Sequence, residues 1–243
     1  MTFEEAWTAV AHVQGWMTEE QGRSLYDAAA SCPPGGLIVE IGSFHGRSTI
    51  VLASACPADA TVIAIDPHAG TDRGPQEIVG FESEADQDHV RFNRHLADAG
   101  VGEKVRHVRM FSDAALAEID GVIDVLYVDG AHRYAPARAD IVSYGHRVPD
   151  GGTMLIHDSF SSVGVTLAIV RELVLSTRWE YGGRSRSLAT YRAVPEVARV
   201  GNASRQLAQL GWFVKNVVVK ILLTAGAGTL LRRLGRPEPE WPY

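Results

Sequence analysis

Short apolar runs, set between glycines, prolines and polar stretches, give the chain its rhythm. The run Leu-Ile-Val-Glu-Ile at 37–41 follows Pro33-Pro34-Gly35-Gly36 and is too short for a helix, so it reads as a buried strand. Similar runs at 61–65, 105–110, 123–128 and 153–156 predict four more strands, and two late ones fall near 179–181 and 186–194. Helical patterns occupy 18–31, 47–55, 82–99, 114–119, 136–144 and 163–175. The first opens on Thr18-Glu19-Glu20-Gln21, a capping-box pattern, and Gly100 closes the third. Strand and helix that alternate in this way build parallel βαβ units. The expected fold is therefore α/β: a Rossmann-like, doubly wound, mostly parallel seven-stranded sheet.

Past residue 194 the pattern changes. Leu207, Leu210, Val214, Val217, Val218, Ile221, Leu222 and Ala225 recur at helical spacing, while Lys215, Asn216 and Lys220 interrupt the run. It is too broken for a membrane span. Gly226-Ala227-Gly228 and Pro237-Glu238-Pro239 punctuate its end. The chain thus divides into residues 1–195, of which 1–34 form an N-terminal helical cap, and an amphipathic helical extension over 196–243.

Composition narrows the classes. A chain of 243 residues suits one domain with a sizeable core. Its net charge of −6 supplies no basic field for nucleic acid. From Ser204 to Tyr243, however, Arg205, Lys215, Lys220, Arg232, Arg233 and Arg236 face only Glu238 and Glu240. Three roles fit this cationic extension: packing on its own domain or in a homodimer, walling the acceptor site, or lying on an anionic membrane surface. Cys32 and Cys56 form no C-x-x-C, which reads as two thiols in a reducing compartment. The acidic N-terminus, Met-Thr-Phe-Glu-Glu, lacks an apolar leader, and a cytoplasmic location is expected.

In open α/β sheets, ligands sit beyond the carboxyl ends of the strands. The first strand runs into Glu40-Ile41-Gly42-Ser43-Phe44-His45-Gly46-Arg47-Ser48. This lacks the third glycine of the dinucleotide fingerprint G-x-G-x-x-G, which counts against a nicotinamide-dependent dehydrogenase. Gly42 permits a tight turn, backbone N–H groups at the next helix start suit a carboxylate, and Glu40 suits an amine. The same features also fit a plain strand–turn–helix corner. Asp66, at the end of the second strand, is placed to bind both hydroxyls of a ribose. An amino acid joined to a ribose describes S-adenosylmethionine.

The segments E-I-G-S-F-H-G-R-S and A-I-D-P resemble motifs I and II of the class I S-adenosylmethionine-dependent methyltransferases, and the resemblance runs from about residue 15 to 194. It implies that Glu40, Gly42, Ser43 and Ser48 surround the methionine part, that Asp66 binds the ribose, and that Ser112 and Asp113 lie near the adenine. Trp16-Met17-Thr18 resembles the N-terminal stretch that closes over the cofactor in related enzymes.

A second constellation follows strands four and five. Val128-Asp129-Gly130-Ala131-His132 and Leu155-Ile156-His157-Asp158-Ser159 end on neighbouring strands, so Asp129, His132, His157 and Asp158 should crowd one rim. Like charges at close range are costly, and a divalent cation would resolve them. The pattern D-G-x-H with H-D-S is similar to that of sugar O-methyltransferases of the macrocin and aminocoumarin type, and to that of methylmannose polysaccharide synthesis. That resemblance implies a Mg²⁺-assisted methylation of a sugar or oligosaccharide hydroxyl, with Asp129, His157 and Asp158 as metal ligands. His157 departs from the group, which has Asp or Glu there, and imidazole favours Zn²⁺, Mn²⁺ or Co²⁺. His132, with Asp129 as the alternative, is the expected general base. Three blander roles stay open: a helix-capping His132, an orienting His157 and an N-capping Asp158. A polyketide, glycopeptide or catechol-type acceptor would require aromatic walls, from Trp16, Phe44, Phe160, Trp179 or Trp212. A non-catalytic cofactor-binding scaffold is the reading from another class. Of the other histidines, His45 and His68 are expected near the pocket, and His89, His95, His107 and His146 on the surface or on helix faces.

Overall fold

The computed structural model describes residues 1–70 and 82–224. Seven strands form one sheet: β1 (Leu37–Ile41), β2 (Thr61–Ile65), β3 (Val105–Val108), β4 (Val125–Val128), β5 (Thr153–Ile156), β6 (Trp179–Ser185) and β7 (Leu188–Ala193). Their order is β3-β2-β1-β4-β5-β7-β6. The first five are parallel, while β7 pairs antiparallel with both β5 and β6. The apolar runs of β1, β2, β4 and β5 are nearly unbroken because both sheet faces are covered.

Two buried clusters flank the sheet. One packs Leu25, Ile50, Leu52 and Phe92 against Ile38, Val62 and Tyr127. Its helices are α2 (Glu19–Ala30), α3 (Arg47–Ala55) and α4 (Glu82–Asp98). The other packs Ile141, Tyr144, Val165 and Ile169 against Val39, Leu126 and Met154. Its helices are α6 (Tyr134–Gly145) and α7 (Val163–Glu172), with the short α5 (Ser112–Ala115) nearby. The N-terminal cap holds one helix that the apolar pattern did not mark, α1 (Phe3–Ala9), opened by a capping box between Thr2 and Glu5. Thr18 and Gln21 form the expected box at α2.

The extension folds as α8 (Arg199–Leu207) and α9 (Leu210–Thr224). Asn202 on α8 satisfies the edge of β6: its Oδ1 accepts from the Tyr181 N–H at 2.8 Å, and its Nδ2 donates to the Trp179 carbonyl at 3.0 Å. Leu210, Trp212 and Phe213 of α9 pack against the second cluster. Val214, Val218 and Ile221 face outward. Ala225, both punctuating stretches and the basic residues Arg232, Arg233 and Arg236 lie outside the described residues. Among the described residues, no helix is long and apolar enough to cross a membrane. Cys32 and Cys56 are buried and unpaired.

Register places the site. Ile41 pairs with Ile65 and Val128, and Val128 with Ile156, so four parallel strands end together. The residues that follow, 42, 66, 129 and 157, therefore share one rim. The chain reverses its direction of winding between β1 and β4, the crevice where such sheets bind ligands.

Candidate functional site

A cavity of about 550 Å³ opens at this rim, within the range usual for small-molecule sites. One end is built on the loop after β1. Gly42 adopts φ +90°, and a Cβ there would lie 2.1 Å from the Asp129 carbonyl oxygen, so only glycine fits. Its N–H donates to the Ile65 carbonyl at 2.8 Å, which ties the loop to the end of β2. Asp66 fastens the same loop from the other side. Its two carboxylate oxygens accept the Phe44 and His68 N–H groups, each at 2.8 Å. Asp66 still lines the cavity, and a carboxylate has further lone pairs for two hydroxyls.

The sequence-predicted cofactor residues separate into two layers. Gly42, Asp66, Ser112 and Asp113 line the cavity, while Glu40, Ser43 and Ser48 lie beneath the loop and not on its wall. Glu40 is fully buried and accepts hydrogen bonds from the Ser48 and Thr49 hydroxyls. Burial pushes its carboxyl up to about 8 against the opposing pull of those hydroxyls, and Asp129 and Asp66 add to the rise. Glu40 therefore meets the start of α3 and not the cavity wall. Trp16 reaches the cavity and leans on Phe44, ring centroids 5.4 Å apart. Met17 joins the core instead, and Thr18 caps α2. Asp140 is a cavity residue that sequence reasoning missed. Burial pushes its carboxyl up to about 6, against a hydrogen bond from Ser112.

The other end gathers the acids and imidazoles. The Asp129 N–H donates to the Ile41 carbonyl and that of His157 to the Val128 carbonyl, which continues the strand ladders into the site. Tyr127, wholly buried on β4, donates its hydroxyl to Asp129 Oδ2 at 2.8 Å. His132 Nε2 lies 3.0 Å from Asp158 Oδ2. Asp158 is buried and holds a left-handed backbone, φ +54°. Gly164 at the start of α7 lets the loop approach, since a Cβ there would meet the His132 carbonyl oxygen at 2.2 Å.

Asp129, His132 and Asp158 each present a ligand atom within 4.8 Å of the others. His157, the third ligand expected from the sequence, is not one of this group. His157 Nδ1 does lie 3.0 Å from Asp129 Oδ1, but off the line a hydrogen bond needs. Nδ1 also lies 3.7 Å from Asp158 Oδ2, so this buried imidazole faces both carboxylates.

Charge balance follows. Burial alone would push the His157 and His132 imidazoles down; facing Asp129 and Asp158 outweigh it, and both move up. Burial likewise opposes ionisation of Asp158, yet His132 and His157 hold its carboxyl well below the usual range. Asp158, facing His132, thus favours the cationic form of its imidazole.

Of the remaining histidines, His68 lies where expected and His45 does not. His68 lines the cavity and its Nε2 donates to the Phe44 carbonyl at 2.7 Å. His45 is buried beside Asp88, Nε2 to Oδ1 2.8 Å, away from the wall. His68, His89 and His107 cluster with ring centroids 5.0–5.5 Å apart. Burial, with His68 and His89 adding, pushes His107 down to about 4.

Comparison with known proteins matches this architecture to one family. Residues 39–159 match a methyltransferase domain family, from mid-β1 to the turn after β5. An uncharacterized protein of Acanthamoeba polyphaga mimivirus is 31% identical over 125 residues, 49% of this chain and 50% of the relative, so the match spans about half of that relative's length. Among solved structures, the O-methyltransferase TomG from Streptomyces achromogenes, in complex with S-adenosylmethionine, is 18% identical with a TM-score of 0.54, covering 79% of this chain and 89% of that one. An O-methyltransferase from Bacillus cereus in complex with S-adenosylhomocysteine is 15% identical with a TM-score of 0.52, covering 78% and 90%. At such identities the structural likeness is one of fold.

Proposed function

We propose that the chain, whose residues 39–159 match a methyltransferase domain family, transfers the methyl group of S-adenosylmethionine to a hydroxyl oxygen of a sugar or similar polyhydroxylated acceptor. One observation carries the reading: Asp129, His132 and Asp158 converge at the end of the same cavity whose other end presents Asp66. Asp66 would hold the ribose hydroxyls, the turn at Gly42 the amino-acid part, and Ser112 and Asp113 the adenine; the bound cofactor would supply the methyl group.

A divalent cation suits the site. Two carboxylates and an imidazole converge, and the paired histidines balance their charge in its absence. Asp129 and Asp158 would hold it, with Mg²⁺ the expected ion for such oxygen ligands, which leaves the His132 imidazole for proton transfer. When bound, it lowers the pKa of an acceptor hydroxyl. The chain's own residues orient that hydroxyl in line with the methyl group and take its proton. His132, with 17% of its side chain exposed, can pass the proton on to solvent.

The wall beside these groups favours a polar acceptor over a phenolic one. Of the five candidate aromatics, Trp16 and Phe44 line the cavity, both on the cofactor's loops. Phe160 and Trp179 are buried in the core, and Trp212 packs against it. The segment after Asp129 lines the cavity with Ala131, Arg133, Ala135, Pro136 and Ala139, and Phe111 lines it beside Ser112.

Calorimetry with S-adenosylhomocysteine tests the cofactor first. Micromolar affinity in the wild type should fall at least tenfold in Asp66→Ala. Transfer of a labelled methyl group is then scored on sugars and phenols, with and without Mg²⁺ or Mn²⁺. No cofactor binding, or binding with transfer to phenols only, would sink this reading.

A further inference from the structure

The loop after β5, which carries Asp158, is held by the C-terminal extension. Asp158 and Phe160 both have left-handed backbones, φ +54° and +56°, conformations that non-glycine residues keep only when their surroundings fix them. Within the loop, the Ser161 and Ser162 N–H groups donate to the Asp158 carbonyl at 3.1 and 2.9 Å. That leaves the carbonyls of Phe160 and Ser161 turned towards α9. Asn216 Nδ2 donates to the first at 3.2 Å and Lys220 Nζ to the second at 3.0 Å. Asn216 is 3% exposed. The two residues are four apart, so they share one face of α9. Val214, Val218 and Ile221 occupy its outward face.

An asparagine buried in so apolar a helix is costly unless a hydrogen bond satisfies it. Packing alone would be served by leucine at 216 and by any apolar residue at 220. Both residues instead spend their donors on backbone next to an acid of the site, about sixty positions earlier in the chain.

We propose that α9 is a positioning element for the acceptor end of the site, in which Asn216 and Lys220 hold the 158–162 loop so that Asp158 stays opposite His132 and Asp129. The proposal rests on the methyltransferase reading for the purpose of that loop, but not for the contact itself. Asn216 and Lys220 are not among the residues that line the cavity. Losing them should loosen the acceptor end and leave the cofactor end, on β1 and β2, as it was.

Amide hydrogen exchange followed by mass spectrometry separates the two ends. In full-length Asn216→Ala/Lys220→Met, exchange over 157–162 should quicken about tenfold or more. Exchange over 40–48 and 61–66, and the affinity for S-adenosylhomocysteine, should stay within twofold of wild type. Asn216→Ala/Lys220→Arg, which restores the Lys220 donor, should recover part of the protection. Lys220→Met alone keeps the packing stem and serves if the double variant fails to fold. Unchanged exchange at 157–162 would overturn the proposal, as would equal acceleration at both ends. A parallel Mn²⁺ titration of the wild type judges the metal reading separately, because exchange in the loop is read without metal.

Discussion

Replacing Glu40 by glutamine should stabilise the protein at neutral pH and leave it unchanged in acid. The carboxyl is wholly enclosed, and burial raises it from 4.5 to about 8 in the folded chain. A raised acid means that the folded state binds more protons than the unfolded state between those values, so stability falls as pH rises through that window. Below pH 4.5 both states are protonated and nothing is lost. At pH 7 the unfolded chain is almost fully ionised and the folded chain about one tenth so, which corresponds to about 3 kcal/mol. Glutamine has the same shape, stays neutral, and can accept from one of the Ser48 and Thr49 hydroxyls while donating to the other. Urea unfolding of wild type and Glu40→Gln at pH 4.5, 6 and 7.5 should give curves that coincide in acid and diverge steadily above it. In thermal terms the gap at pH 7 is roughly 6–12 °C for a chain of this size. A variant destabilised by the same amount at every pH would refute the reasoning, since the hydrogen bonds and not the charge would then govern the position.

Two further perturbations probe other parts of the rim. Gly42→Ala should cost at least about 3 kcal/mol, from a left-handed alanine and an overlap with the β4 backbone that no side chain can relieve; a wild-type melting temperature with intact cofactor binding would sink the contact argument. His107→Asn should flatten the acid side of the stability profile. The folded His107 is depressed to about 4, so its contribution is present above pH 6.5 and lost as pH falls towards 4. The full shift corresponds to about 3 kcal/mol, reduced to about 1–2 by solvent screening at this half-buried position. Equal unfolding free-energy slopes for variant and wild type between pH 7 and 4.5 would exclude the effect.

The sheet was readable from sequence because its parallel strands are buried on both faces and so appear as unbroken apolar runs. The rim was readable for a related reason: Gly42, Asp66, Asp129 and His157 each follow such a run directly. What escaped depended on curvature beyond the strand ends. His132, four residues past the end of β4, reaches Asp158 across the close approach of its backbone to Gly164, a contact between residues 32 apart. His68, His89 and His107 meet only once α4 lies on β2 and β3. Other misses left a signal. Thr2 and Glu5 spell a capping box before Phe3, and a tyrosine within the apolar run of β4 had to find a partner for its hydroxyl, which is Asp129. Asn216 and Lys220 were read as interruptions of an apolar face, whereas they are the polar contacts of that helix.

The pairing of β1 with β4 also bears on how the chain is made. Ile38, in β1, lies beside Val125, in β4, so one flank of the first strand waits 87 residues for its neighbour. At 5–20 residues per second, a ribosome needs roughly 4–17 s to supply it. Throughout that interval the nascent chain carries an apolar strand with an unpaired flank, the kind of edge that recruits other strands. Translation stalled before residue 125 would therefore release a fragment prone to clump, and a chaperone that shields extended apolar segments has its natural client in the first third of this polypeptide.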